Sequence, residues 1–240
     1  MIVLRENYIK RTRQAILMRF APDNREPIQQ GTLSGDPDCF ALRADGSRLA
    51  VAMHDGTLHI LDDDFRVLQS GRLDVKPRGM MFERSGQILI AAGEQLLRVT
   101  PSKFTVEASI PLASFRLVAD DSERVLAVLG WFMGRKDEFG VHLLNLPSLE
   151  PIRIFLIPGY QAVTAALSPN GGLLAFEAQE IGKHRRIIAV FNAATGQELA
   201  RKKSTFTHDL LFLRDNRTLA IADGRFTKSE AIDLWTVPNT

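Results

Sequence analysis

Cys39-Phe40-Ala41-Leu42, then Arg43-Ala44-Asp45-Gly46-Ser47, then Leu49-Ala50-Val51-Ala52: a short apolar run, a tight polar turn and a second apolar run. Such a stretch reads as two β-strands joined by a turn. The unit recurs along the chain. It returns as Met80-Met81-Phe82 and Ile88 to Ala91 around Glu83-Arg84-Ser85-Gly86. Phe115 to Val118 and Val125 to Val128 flank Ala119 to Glu123 in the same way. Ala165 to Leu167 and Leu173 to Phe176 flank Ser168-Pro169-Asn170-Gly171, and Leu210 to Leu213 and Leu219 to Ala222 flank Arg214 to Arg217. With Asp45, Ser85, Asp121, Asn170 and Asp215 as markers, the spacings are 40, 36, 49 and 45 residues. A period of this size marks a repeat architecture.

A third apolar run follows each pair: Thr57 to Leu61, Leu96 to Val99, Val141 to Leu144, Ile187 to Phe191 and Ile232 to Trp235. A fourth, more polar strand follows most of these: Val67 to Leu73, Val106 to Leu112, Pro151 to Ile157 and Glu198 to Lys203. Four short strands per unit, with no stretch of helical period between them, exclude a strand–helix–strand organisation. Radial repetition explains the regular period, because each unit buries its faces against its neighbours. The expected fold is all-β: a β-propeller of short four-stranded antiparallel blades in one domain, residues 1–240. Its units are approximately 1–36, 37–75, 76–113, 114–159, 160–205 and 206–240.

The stretches Arg43 to Ala50, Asp55-Gly56-Thr57-Leu58-His59-Ile60-Leu61-Asp62, Ser168-Pro169-Asn170-Gly171 and Ile232-Asp233-Leu234-Trp235 carry a family likeness. Through them nearly the whole chain resembles the degenerate, bacterial-type WD40-like propeller repeats. The family's Trp-Asp pair does not occur intact, since Trp235 precedes Thr236, and its Gly-His pair is absent, with Thr207-His208-Asp209 a loose echo. The resemblance implies a propeller and leaves function open.

At the N-terminus, Ile2 to Asn7, Ala15 to Phe20 and Ile28 to Leu33 align with the second, third and fourth strands of a unit, and the last unit stops after a third strand. Three arrangements follow: five blades with Ile28 to Leu33 completing the last, six units of which two are three-stranded, or an open ring completed by another chain. Six units are expected. Incomplete terminal blades carry unpaired edges, so self-association is a further expectation.

The chain has 240 residues, 45% hydrophobic and 24% charged, and a formal net charge of +2, as in an ordinary soluble globular protein. Charged residues interrupt the N-terminus at Arg5 and Glu6, and no apolar run approaches the ~20 residues that cross a bilayer. A soluble, cytoplasmic protein with no membrane partner is expected. One cysteine, Cys39, excludes an intrachain disulfide and a four-cysteine zinc site.

Charge is unevenly placed. In an antiparallel meander all second-to-third-strand loops share one end with the unit-to-unit linkers. Residues 10–14, 131–140, 179–186 and 223–230 are such loops and hold ten Lys/Arg against five Asp/Glu. Trp131, Phe132, Phe139 and Phe226 lie in the same loops, and aromatic residues with arginine are typical of binding hot spots. The expected contact residues are Arg11, Arg13, Trp131, Arg135, Lys136, Lys183, Arg185, Arg186, Arg225 and Lys228. The function expected from them is a non-catalytic scaffold that binds an acidic protein partner. A small-ligand or hydrolytic propeller with an axial site, and nucleic-acid binding through the same basic face, are the alternatives. The bland reading is that these loops are ordinary solvated surface.

Cys39 lies in an apolar strand with no motif around it. His54, His59, His142, His184 and His208 lack metal-ligand spacing, and His59 and His142 hold equivalent third-strand positions. Asp62-Asp63-Asp64 lacks the pattern of a calcium loop and falls at a turn, where Asp favours the bend. No glycine-rich phosphate cradle or nucleophile elbow occurs. The expectation is no catalytic residue, no metal and no cofactor.

Overall fold

The computed structural model describes residues 2–9, 12–20, 26–132, 139–205, 207–223 and 232–238, with side chains from Ala15 onward except those of Phe132, His208 and Asp223. The described residues form 22 β-strands in six antiparallel sheets, and none is helical. No helix among them is long and apolar enough to cross a membrane. The chain divides into two compact units, Met1–Pro111 and Leu112–Thr240.

The first unit holds three sheets. They are β1 (Ile2–Ile9), β2 (Thr12–Phe20) and β3 (Pro27–Ser34); β4 (Pro37–Leu42), β5 (Leu49–Met53), β6 (Thr57–Leu61) and β7 (Val67–Arg72); and β8 (Gly79–Phe82), β9 (Ile88–Ala92), β10 (Gln95–Thr100) and β11 (Thr105–Ile110). The second unit holds β12 (Leu112–Ala119), β13 (Val125–Phe132), β14 (Gly140–Asn145) and β15 (Pro151–Phe155); β16 (Tyr160–Leu167), β17 (Leu173–Glu180), β18 (Arg186–Asn192) and β19 (Glu198–Ser204); and β20 (Thr207–Phe212), β21 (Thr218–Asp223) and β22 (Ile232–Thr236). Each sheet is a meander of sequence neighbours. Among the described residues the pairings are those of six sheets, the first and last three-stranded.

Two β-bulges recur and fix which strand is which. In every third-to-fourth pair one residue of the fourth strand is skipped: Leu68, Glu107, Ile152 and Leu199. The pair β2–β3 skips Ile28 in the same place, so β1, β2 and β3 stand in the second, third and fourth positions. The first strands β4, β12, β16 and β20 skip Asp38, Phe115, Val163 and His208. A bulge bends its strand and re-aims the extra side chain.

Strand alternation builds the core within each unit. On β5, Leu49, Val51 and Met53 pack against Ala15, Leu17 and Leu33 of the first sheet, while Ala50 and Ala52 face the third with Ile88 and Ile90. On β17, Leu174, Phe176 and Ala178 meet Ala127, Leu129 and Leu143, while Ala175 faces Leu219 and Ile221. Second and third strands are therefore apolar on both faces, which is why they read as continuous runs.

The first-to-second turns repeat one chemistry. Asp45 Oδ1, Ser85 Oγ, Asn170 Oδ1 and Asp215 Oδ1 each accept the backbone N–H two residues on. In the fourth sheet the role belongs to Asp120, one residue before the marker Asp121. Its Oδ1 accepts the N–H groups of Arg124 and Val125. The third-to-fourth turns place Phe65, Phe104 and Leu149 in the left-handed region (φ 61°, 53° and 58°). Strain of this kind in a bulky residue needs compensation. Phe65 lies against Gly31 and Phe104 against Gly71, where a Cβ would collide with either ring.

Candidate functional site

The second-to-third-strand end of the sheets β12–β15 and β16–β19 carries the described part of the expected face. On β13, Trp131 is half-buried, with its ring 5.1 Å from Phe139. Phe139 in turn stacks at 5.6 Å on Phe115, the residue extruded by the β12 bulge. Phe115, Phe139 and Tyr160 all pack on the core beneath. The bulge thus recruits an aromatic side chain to the loop end, and Trp131 works as both strand end and surface ring.

At the same end of the next sheet the loop 180–185 is tightly closed. The N–H of Glu180 donates to Arg185 O (2.9 Å), that of Lys183 to Glu180 O (3.1 Å), and Gln179 Nε2 to Lys183 O (3.1 Å). The N–H of Ile181 donates to Gly159 O (2.9 Å), tying the loop to the linker before β16. Ile181 stands at the tip, 67% exposed. Lys183 Nζ pairs with Glu180 at 2.5 Å, and Arg185, its side chain 79% exposed, reaches the same carboxylate only at 4.0 Å. A loop held this firmly has little freedom left to lose on binding.

Arg186 is placed differently. Its side chain is 14% exposed and points along the sheet, donating Nη1 to Glu177 (3.0 Å) and Nη2 to Gln179 (2.9 Å). Glu177 has no exposure, and Ser204 Oγ also donates to it (2.8 Å), Ser204 lying 3.0 Å from Thr207 Oγ1. This network occupies the site filled by Ala52 in β5 and Leu129 in β13, so Arg186 is a structural counter-ion. Of the other expected contact residues, Arg11, Arg135, Lys136, Arg225 and Lys228 lie outside the described residues. Arg13 lies in β2 of the other unit, and its side chain is outside them as well.

The remaining chemical groups are absorbed by structure. Burial, and then the neighbouring Asp38 charge, push the Cys39 thiol up to about 12. Native Cys39 should therefore resist alkylation at about pH 8 and react at the ordinary thiol rate once unfolded, since the thiolate is the nucleophile; thiol titration with and without denaturant checks this. His142 is buried and donates Nε2–H to Gly130 O (3.0 Å), and His59 meets Ser70 Oγ (2.7 Å). Burial lowers the His59 pKa below its usual value. The carboxylates of Asp62, Asp63 and Asp64 gather within 4.8 Å, but Asp62 Oδ1 accepts the N–H groups of Asp64 (3.0 Å) and Arg66 (2.8 Å) and so builds the turn. On the first strands, Arg116 of β12 pairs with Asp209 of β20, each being the first residue after its bulge.

One cleft of about 450 Å³ lies elsewhere in the second unit, between Leu173 and Leu199 on one side and Arg217, Val237 and Pro238 on the other. Its Asp215 is held below the usual carboxylate range by the Thr218 hydroxyl and by the N–H groups of Thr218 and Arg217. Nothing in this cleft presents a nucleophile with its base.

Comparison with known proteins adds the fold and nothing finer. No family model and no curated protein matches the chain. Among solved structures 1437 chains match, so the architecture is widely used and does not restrict function. One of them, a chain of hydrazine synthase from Kuenenia stuttgartiensis, is 13% identical with a TM-score of 0.66 over 89% of this chain. The match takes in 62% of that chain, less than two thirds of its length. With six meander sheets of three or four strands, the chain has the make-up of a propeller-like fold.

Proposed function

We propose that the six sheets are the blades of a WD40-like β-propeller and that the protein is a non-catalytic interaction module binding an acidic protein surface. The observation that carries this reading is the loop 180–185. Closed by its own hydrogen bonds, it presents Lys183, Arg185 and an exposed Ile181 at the strand end where the preceding sheet carries the rings of Trp131 and Phe139. Cations around an apolar centre suit a carboxylate-bearing partner with an apolar anchor. In the sequence, Arg135 and Lys136 add charge to the neighbouring loop, and Arg225 and Lys228 to the next.

The test is capture of a partner from native lysate by wild type and by the double charge reversal Lys183→Glu/Arg185→Glu. A partner protein should bind wild type and be weakened roughly tenfold or more by the reversal, as charge pairs at an interface can be worth several kcal/mol. Both side chains are solvent-facing, so the melting temperature should hardly move. Capture that survives the reversal unchanged would sink the reading. Recovery of nucleic acid, with an affinity that falls steeply with salt, would replace the protein partner.

A further inference from the structure

The basic loop 180–185 carries its own anion. Glu180 ends β17 and follows Leu174, Phe176 and Ala178 on the face turned to the sheet β12–β15. Its side chain is 19% exposed, and Oε1 takes the Lys183 ammonium at 2.5 Å. Oε2 is closed to solvent and has no hydrogen-bond partner among the described residues. Arg185 comes no nearer to it than 4.0 Å and keeps its side chain largely in solvent. Two cations thus converge on one carboxylate, and only one of them closes on it.

The carboxylate is not what shapes the loop. Closure runs through the main chain, from Glu180 N–H to Arg185 O, from Lys183 N–H to Glu180 O and from Ile181 N–H to Gly159 O. Gln179 completes it, accepting from Arg186 Nη2 (2.9 Å) and donating Nε2–H to Lys183 O (3.1 Å). Lys183 is 58% exposed, and an ion pair with so exposed a partner adds little to stability. Its effect on an incoming anion is larger. Glu180 holds a donor that the anion needs, and its charge repels the anion at short range.

We infer, on the footing of the acidic-partner function proposed above, that Glu180 is a built-in competitor for the loop's cations and sets which acidic segments the loop accepts. A segment with one carboxylate engages Arg185 and leaves Lys183 with Glu180. A segment with two neighbouring carboxylates engages Arg185 with the first and draws Lys183 off Glu180 with the second. An apolar residue next to them covers Ile181, which stands exposed at the loop tip. The partner chemistry is therefore a protein segment with paired carboxylates beside an apolar side chain. Without the Glu180 charge, a single carboxylate bridges both cations, and the selection is lost.

The probes are two end-capped synthetic peptides of about eight residues, serine and glycine around one leucine, titrated into the full chain at low ionic strength, where surface charge acts most strongly. One carries two adjacent glutamates beside the leucine, the other a glutamate and a glutamine. Wild type should prefer the two-glutamate peptide by about fivefold or more. Glu180→Gln should bind the one-glutamate peptide at least about threefold more tightly than wild type does, and narrow the preference to about twofold. Its melting temperature should match wild type, because the main-chain closure remains. Equal binding of each peptide by wild type and Glu180→Gln, abolished in Lys183→Glu/Arg185→Glu, would overturn the competitor and leave the basic loop as the contact face. Weaker binding by Glu180→Gln would overturn it too, making Glu180 a brace that positions Lys183. Binding of neither peptide by either protein would overturn the competitor and the acidic-partner function together, since Glu180→Gln leaves the cations at their freest.

Discussion

Arg186→Ala should destabilise the protein by about 3–5 kcal/mol, because the change leaves the Glu177 carboxylate without a counter-ion in a site that water does not reach. The argument rests on the geometry of the pair. Glu177 has no exposure, Arg186 Nη1 approaches it at 3.0 Å, and the Ser204 hydroxyl also donates to it. A hydroxyl cannot replace a guanidinium as a counter-charge. Urea unfolding checks the prediction, and a loss below about 1 kcal/mol would mean that the charge is solvated or neutralised. Replacing both members, Glu177→Leu with Arg186→Met, should recover most of the loss, since apolar packing often substitutes for a buried pair at little cost. The contrast with Lys183 and Arg185 is useful. Reversing those two probes binding on a stable protein, whereas altering Arg186 would confuse lost binding with lost fold.

Gly130→Ala should cost about 3 kcal/mol or more, within the range where a clash in a packed core cannot relax. A Cβ on Gly130 would lie inside the contact distance of Ala113 O and close to the Ser114 backbone. These belong to the strand paired with β13, where Leu112 and Ala113 are buried and have no room to retreat. The Gly130 carbonyl also accepts from His142 Nε2, so a shift of β13 would orphan a buried imidazole donor. Thermal unfolding of the variant beside Gly159→Ala is the measurement. Gly159 has open space around the Cβ position but a φ of 78°, so its penalty should be the smaller, backbone one. Equal losses in the two variants would refute the clash.

The strand plan was legible in the residues. The third apolar run Ile187 to Phe191 falls on β18, because a strand buried on both faces leaves an unbroken apolar stretch. The bulges were not legible. One skipped residue such as Phe115 or Val163 looks like any other member of an apolar run, and only the register of the partner strand reveals it. Arg186 read as a surface cation because it follows a polar loop, and its partner Glu177 lies nine residues earlier. A signal was present in Leu173-Leu174-Ala175-Phe176-Glu177-Ala178: a carboxylate in an otherwise apolar second strand has to find a donor. The exposure of Ile232 and Leu234 escaped notice for a different reason. Ile232 and Leu234 have the pattern of buried residues, and exposure is a property of neighbours that a local pattern does not contain.

The bulge shared by β4, β12, β16 and β20 makes each of these strands two rulers spliced one notch out of step. Residues before the splice count odd where those after it count even. The two segments can therefore change independently. Varying Phe115 would alter what the loop end displays, while Arg116 to Ala119 keep the phase that stacks the sheets. Deleting the single residue Val163 would do the reverse, removing the offset and turning Tyr160 to Ala162 over as a block. An insertion or deletion at this point is a switch of face, and shuffling of such units by recombination would be silent only when both breakpoints respect the splice.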